Sequence, residues 1–424
     1  MRGRKRAGVF AVILAAMPEA ALATDGYFQN AYGVKELGRG GTSIAIPDDA
    51  FGGANNPATM GFVGDVLDVD AYLFAPSRNA SRSGNAFGLN GYANSGDDAF
   101  FFPAFGYVHT LTDTISLGIS VYANGGMDTD YPGGQIAPFH CGPGAPAANL
   151  LCGEGRLGVN LEQFFFAPTI TYKVTPNNAF GISPIVAYQR FSAEGLQAFS
   201  GLSSAPGNLT NRGFSNSAGV GVRIGWMGKI TETLSLGATY ASRISMSRFQ
   251  AYEGLFAEHG EFDIPQNLGA GIAWRPLPKL LLAFDYRWIN YSSIAAVGNP
   301  STNFAPLGSN HGPGFGWSDV SVFEFGAEYR LASQWVVRAG YNHNTNPIQA
   351  RDVTFNILAP GLVQDHVSVG FTYEFAQGYE LNAAYMHAFR NTLAGATSPL
   401  LPGGGVDKIG LSEDLVGLEL QINF

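Results

Sequence analysis

Residues Lys279–Tyr291 read K-L-L-L-A-F-D-Y-R-W-I-N-Y. Leu280, Leu282, Phe284, Tyr286 and Trp288 fall on one face, and Ala283, Asp285 and Arg287 on the other. A period of two marks a β-strand with one apolar and one polar side. Residues 321–331, 335–342, 365–375 and 415–424 repeat the pattern. The links between such stretches alternate in length. Residues 276–279, 332–334 and 376–378 are tight, whereas 292–319 and 344–364 are long. Short turns at one end, long loops at the other and an apolar face turned outward are the marks of a transmembrane β-barrel. The expected fold class is therefore all-β, one antiparallel barrel.

Composition agrees. Charged residues make up 13% of the 424, against about 25% in soluble domains. Aromatics reach 13%, and there are 56 glycines. Mean hydropathy is +0.05, too low for a bundle of helices that each need about 20 apolar residues. A soluble β-sandwich would share the alternation, with its apolar face inward. The low charge, the apolar start of the chain and its aromatic end favour the membrane.

The first residues read as a secretory signal. Arg2, Arg4, Lys5 and Arg6 precede an apolar run from Ala7 to Met17, and Ala21-Leu22-Ala23 fits a cleavage site. Residues 1–23 would be removed and the mature chain would begin at Thr24. Removing four of 24 basic and one of 33 acidic residues leaves 20 against 32, a net charge of −12. Such an acidic chain is a poor partner for nucleic acid. Cys141 and Cys152 lie in a Gly/Pro-rich stretch. An exported chain crosses an oxidising compartment, so a disulfide staple is the expected state; the alternative, a metal or redox pair, matches no zinc spacing.

From Val66 onward the alternation predicts strands at about 66–76, 99–109, 115–124, 162–173, 179–191, 214–228, 233–244, 268–276, 279–291, 321–331, 334–343, 365–375, 378–390 and 414–424. Fourteen is an even number, as bacterial barrels require, and puts both termini on the periplasmic side. Parity assigns Phe164, Phe166, Ile170 and Tyr172, then Val220, Val222, Ile224 and Trp226, then Val367, Val369, Phe371, Tyr373 and Phe375 to lipid. Pro103 and Pro184 fall within strands and should disturb pairing. The last strand, L-V-G-L-E-L-Q-I-N-F, ends on Phe424. It resembles the end of bacterial outer-membrane proteins, which the barrel-insertion machinery recognises.

Residues 24–64 do not read as wall. They are small-residue-rich and broken by Gly and Pro, with L-G-R at 37–39, D-D-A at 48–50 and N-P-A at 56–58. These motifs, in this order before the first strand, resemble the plug of FadL-type outer-membrane transporters for long-chain fatty acids and other hydrophobic compounds. The resemblance implies a plug over 24–64 and a barrel over 65–424 in the outer membrane of a Gram-negative bacterium. It implies passive transport of fatty acids or aromatic hydrocarbons, with no enzyme activity. Asn56, Pro57 and Ala58 would hold the plug's fold or serve gating. The family's exit is a sideways gap at a kink in the third strand; here Asn124-Gly125-Gly126 is the candidate, as a bend or as an ordinary strand end.

Capture would fall to the outer loops. Leu196, Phe199 and Leu202, then Phe249, Tyr252, Leu255 and Phe256, recur at helix-like spacing, either as an exposed apolar patch or as a loop minicore. Among inward polar residues, Arg287 and Arg338 sit mid-strand and could hold a ligand carboxylate bidentately. The expected partners are a hydrophobic small molecule, outer-membrane lipid and the insertion machinery, for a monomer without cofactors. No histidines lie at metal-binding spacing. Two other classes compete. A diffusion porin would leave the lumen open, and an outer-membrane enzyme would use a wall histidine such as His343 or His387, for which no nucleophile motif appears.

Overall fold

The computed structural model describes residues 25–424; the expected signal segment and cleavage site lie outside them. Fourteen strands form the wall: β1 Val66–Ser83, β2 Phe100–Thr110, β3 Ile115–Tyr131, β4 Leu157–Thr175, β5 Asn178–Glu194, β6 Ser215–Lys229, β7 Leu234–Ala241, β8 Asn267–Leu277, β9 Leu280–Ile289, β10 Val320–Arg330, β11 Trp335–Asn344, β12 Asp365–Ala376, β13 Tyr379–Ala396 and β14 Val406–Asn423. Each pairs antiparallel with its sequence neighbours, and β14 returns to β1 from Val66↔Asn423 to Ser83↔Val406, closing the barrel. Two further short strands lie outside this circuit, Gly91–Asn94 on β1 and Ser245–Met246 on β6.

Parity decides which side of the wall each residue covers. Along β5, Phe180, Ile182, Val186 and Tyr188 are exposed while their neighbours are buried. The lipid-facing residues expected on β4, β6 and β12 all lie on the outward face: Phe166, Ile170, Tyr172, Val220, Ile224, Val367, Val369, Phe371 and Phe375 are exposed, and Phe164, Val222, Trp226 and Tyr373 half-buried. Aromatic side chains band both rims. Near the short turns Trp335 stacks on its cross-strand partner Tyr373 at 4.5 Å. Near the loops, Tyr188 and Tyr240 donate their hydroxyls to Asn216 and Gln266, each at 2.9 Å. Such belts suit the two membrane interfaces, where a ring meets hydrocarbon and its polar tip meets water.

Several strands run longer than the alternation predicts. The strand expected over 115–124 continues to Tyr131, and that over 414–424 begins at Val406. Past Asn124, β3 is covered on both faces, so its period of two fades; the start of β14 still alternates, with Val406 and Lys408 exposed and Asp407 and Ile409 buried. Pro103 stays in register opposite Ala71, contrary to the expected distortion. Pairing does lapse between β4 and β5 across residues 167–169 and 183–185, where Pro168 joins Pro184; proline lacks the N–H that the ladder needs.

The N-terminal segment is buried almost throughout from Asp25 to Met60 and packs on inward-facing wall residues. It contains a short helix, Val34–Gly38, and 3-10 turns at Phe51–Gly53 and Pro57–Gly61. Wall glycines make the fit possible. A β-carbon at Gly181 would fall on Pro57, at Gly237 on the Ile44 carbonyl and at Gly340 on Gly40. Three strands thus leave room for backbone where any side chain would collide.

Candidate functional site

Charged side chains fix the segment to the wall. Asp285 on β9 accepts from the amides of Ser43 at 2.7 Å and Ile44 at 2.8 Å. Lys35 reaches Glu380 at 2.7 Å, and Arg39 reaches Asp48 at 2.5 Å and Glu328 at 3.1 Å. Burial pushes the Asp25 carboxyl up to about 6, although Arg287 opposes the shift. Burial acts the same way on Asp48, but Arg39 outweighs it and holds that group at about 2. Burial also pushes Glu36 and Asp49 well up. Glu36, Asp48 and Asp49 place one oxygen each within 4.8 Å of one another, but Arg39 already supplies positive charge to Asp48 and Glu36.

Asn56 sits at the centre of this anchorage. Its Nδ2 donates to the carbonyls of Ile44 at 2.8 Å and Trp226 at 2.9 Å, and its Oδ1 accepts from Ala58 N at 3.1 Å. Pro57 opens the 3-10 turn that Asn56 caps, and Ala58 packs on Ala179 and Met227. Arg287 and Arg338 lie on the inner face as expected, but their acceptors come from the chain itself. Arg287 pairs with Asp25 at 2.9 Å and with Glu324. Arg338 holds Glu328 at 2.9 Å and donates to Thr372 at 2.7 Å. Both guanidinium groups are thus already paired with carboxylates of the chain.

The capture candidates also change character. Leu196, Phe199, Phe249, Tyr252 and Phe256 are buried, Leu255 is half-buried and only Leu202 is exposed. They form a loop minicore rather than an open patch, because loops from several strands fold over one another. Phe191 on β5 is its hub, 4.6 Å from Phe256 and 4.9 Å from Tyr252 between ring centroids. The minicore is hollow. Leu196, Phe199, Leu255 and Phe256 join Leu151, Leu307 and Phe355 around an apolar cavity of about 50 Å³. Cys141 and Cys152, joined by a disulfide, staple a neighbouring loop.

Aromatic rings continue inward from the cavity. Phe256 meets Phe262 at 4.9 Å, Phe262 meets Tyr27 at 6.1 Å, and Tyr27 meets Trp317 at 6.0 Å. Tyr27 lies against the wall at β3. There β3 bulges between Ala123 and Gly125, so Asn124-Gly125-Gly126 is a bend within a strand and not its end. The backbone of the N-terminal segment pairs with the bulge: Gln29 N donates to Asn124 O at 3.2 Å and Gly126 N to Tyr27 O at 3.1 Å.

The wall is incomplete beside this bend. β2 and β3 pair from Thr110↔Ser116 only as far as Phe105↔Val121. Beyond that, Phe100–Ala104 pair with β1 and Ala123–Tyr131 with β4; no pairing joins the two stretches among the described residues. Contact resumes above, where Gly96 N donates to Asp130 O at 2.7 Å. A second compartment, of about 30 Å³, lies behind the gap and includes Phe74, Gly126, Met127, Trp317 and Leu411. Sequence reading located the bend but missed the unpaired stretch of β2, Trp317 and this compartment. G-F-G-W at 314–317, two aromatic residues interleaved with glycines, was the available signal.

Solved structures share this architecture. The toluene transporter TodX of P. putida superposes with a TM-score of 0.67 at 16% identity, covering 93% of this chain and 99% of that one. A FadL homologue of Pseudomonas aeruginosa gives 0.68 at 15%, covering 94% and 100%. The toluene transporter TbuX of Ralstonia pickettii gives 0.65 at 18%, covering 93% and 99%. Likeness at this identity establishes the fold. No curated protein sequence matches the chain. The family model for outer membrane protein transport proteins (OMPP1/FadL/TodX) matches residues 14–399. The chain therefore belongs to that family, whose members are outer-membrane β-barrels of Gram-negative bacteria that transport rather than catalyse.

Proposed function

We propose that this barrel passes small hydrophobic molecules, long-chain fatty acids or aromatic hydrocarbons, from the cell surface into the outer membrane without an energy source. TodX and TbuX, named as toluene transporters, lend support to the hydrocarbon end of that range. The observation that carries the reading is the gap between β2 and β3 beside the Gly125 bend. A hydrophobic solute has no reason to cross into the aqueous periplasm, whereas lipid lies immediately outside a sideways opening. The apolar cavity among the outer loops serves as the entry station, and the aromatic rings from Phe256 to Trp317 line the way inward. The N-terminal segment over residues 24–64 acts as the plug that keeps water and ions from following. The barrel works as a monomer, held by outer-membrane lipid after delivery by the insertion machinery.

Filling the cavity tests entry. Leu255→Trp places a large ring in the hollow, and uptake of a labelled aromatic hydrocarbon by whole cells should fall about tenfold at equal surface level. Unchanged uptake would remove the cavity from the route. Raised, unselective conductance of the parent protein in planar bilayers would favour a diffusion porin instead.

A further inference from the structure

The compartment behind the gap is not purely apolar. Phe74, Met127, Trp317 and Leu411 supply hydrocarbon walls, but Arg78, Asp128 and Glu413 line it too. Arg78 lies opposite Leu411, and Glu413 opposite Pro76, so both side chains enter from the inward face of the β1–β14 pair. Arg78 Nη1 donates to Asp128, 3.1 Å from Oδ1. Its Nε and Nη2 have no hydrogen-bond partner among the described residues, and neither oxygen of the fully buried Glu413 has one. A plain hydrocarbon passing through needs none of this. Buried polar atoms are nearly always matched, so unmatched donors beside unmatched acceptors in one small hollow mark where a ligand's polar atoms belong.

The charges select the ligand. Arg78 is already paired with Asp128, so an anionic head group would meet no free positive charge and would crowd the Asp128 carboxylate. A hydroxyl both donates and accepts and so can serve Glu413 and Arg78 together, whereas an apolar head group leaves both unserved. We propose that this compartment is a subsite for the hydroxyl group of a neutral hydrophobic molecule, a phenol or an alcohol. Its O–H donates to Glu413, and its oxygen accepts from Arg78. The inference rests on the passage reading and extends it: the route prefers hydroxylated ligands over the parent hydrocarbon.

The test uses three ligands with one ring, p-cresol, toluene and 4-methylbenzoate, in equilibrium binding to the full purified chain in detergent. The subsite predicts that p-cresol binds at least about tenfold more tightly than toluene and that 4-methylbenzoate gains nothing. Glu413→Leu and Arg78→Met should each bring cresol and toluene to within about threefold, while Glu413→Gln, which keeps an acceptor, should retain much of the preference. Equal binding of cresol and toluene to the parent protein overturns the proposal and needs no variant. So does a preference that survives both truncations, or tightest binding of 4-methylbenzoate. Toluene binding separates the two readings: its absence speaks against passage, whereas its presence without a cresol preference speaks against the subsite alone.

Discussion

The amide of Gly126 donates to the carbonyl of Tyr27 at 3.1 Å, tying the N-terminal segment to the bend in the third wall strand. One contact thus links the segment that fills the barrel to the place where the wall comes apart. It also puts Tyr27 beside Trp317, which lines the compartment behind the gap. Anchorage of the segment and passage through the wall are therefore coupled, and each can be perturbed separately.

Asn56 is the first place to loosen the segment. Asn56→Leu removes the donor to Ile44 O and Trp226 O and the acceptor for Ala58 N. Leaving such groups unmatched costs about 3 kcal/mol, enough to raise the undocked population roughly a hundredfold. Ion conductance in planar bilayers should rise while the barrel keeps its shifted mobility on unheated detergent gels. Unchanged conductance would show that the segment is held without Asn56.

Conductance should also depend on pH. Asp25 is pushed up to about 6 by burial against Arg287, and burial raises Glu36 and Asp49 in the same segment. Released from the wall, these carboxyls return to ordinary values near 4. The docked state then binds protons more readily, so its advantage is full below about pH 4 and is lost as pH rises through about 6. Asp48, held at about 2, contributes the opposite trend only below about pH 4. The segment should be better seated at pH 5 than at pH 7.5, with lower ion conductance at pH 5. A higher conductance at pH 5 would reverse the argument.

The disulfide belongs to the loops and not to the wall. Closing so short a span as Cys141 to Cys152 contributes about 3 kcal/mol in the chain-entropy account. Reduction should speed proteolysis within residues 132–156 and leave the heat-modifiable barrel intact. Loss of the barrel on reduction would mean that this loop supports the wall.

The wall was legible because lipid on one side and a packed interior on the other enforce a strict period of two. Val367, Val369 and Phe371 could be placed outward from spelling alone. The same logic failed where a strand left the bilayer: β3 past Asn124 is covered on both faces, so its letters carry no alternation. Loops were legible as apolar but not as hollow. Phe199 and Phe256 stand far apart in sequence, and only the crossing of loops decides that they share one cavity. Arg287 and Arg338 looked available because Asp25, Glu324 and Glu328, their partners, could not be placed beside them without the fold. The gap itself is a missing pairing, and no residue spells an absence.

The central claim, sideways exit beside Gly125, is tested most directly by Gly125→Val. Gly125 has φ of 154°, and a β-carbon there would fall on the Tyr27 carbonyl. Valine resists that backbone, so the bulge should straighten and the strand beyond it should re-pair. The measurement is uptake of a labelled aromatic hydrocarbon, with surface level and binding to the outer-loop cavity followed in parallel. The account predicts a fall of about tenfold or more in uptake with both controls unchanged. Parental uptake from a normally inserted Gly125→Val barrel would contradict it.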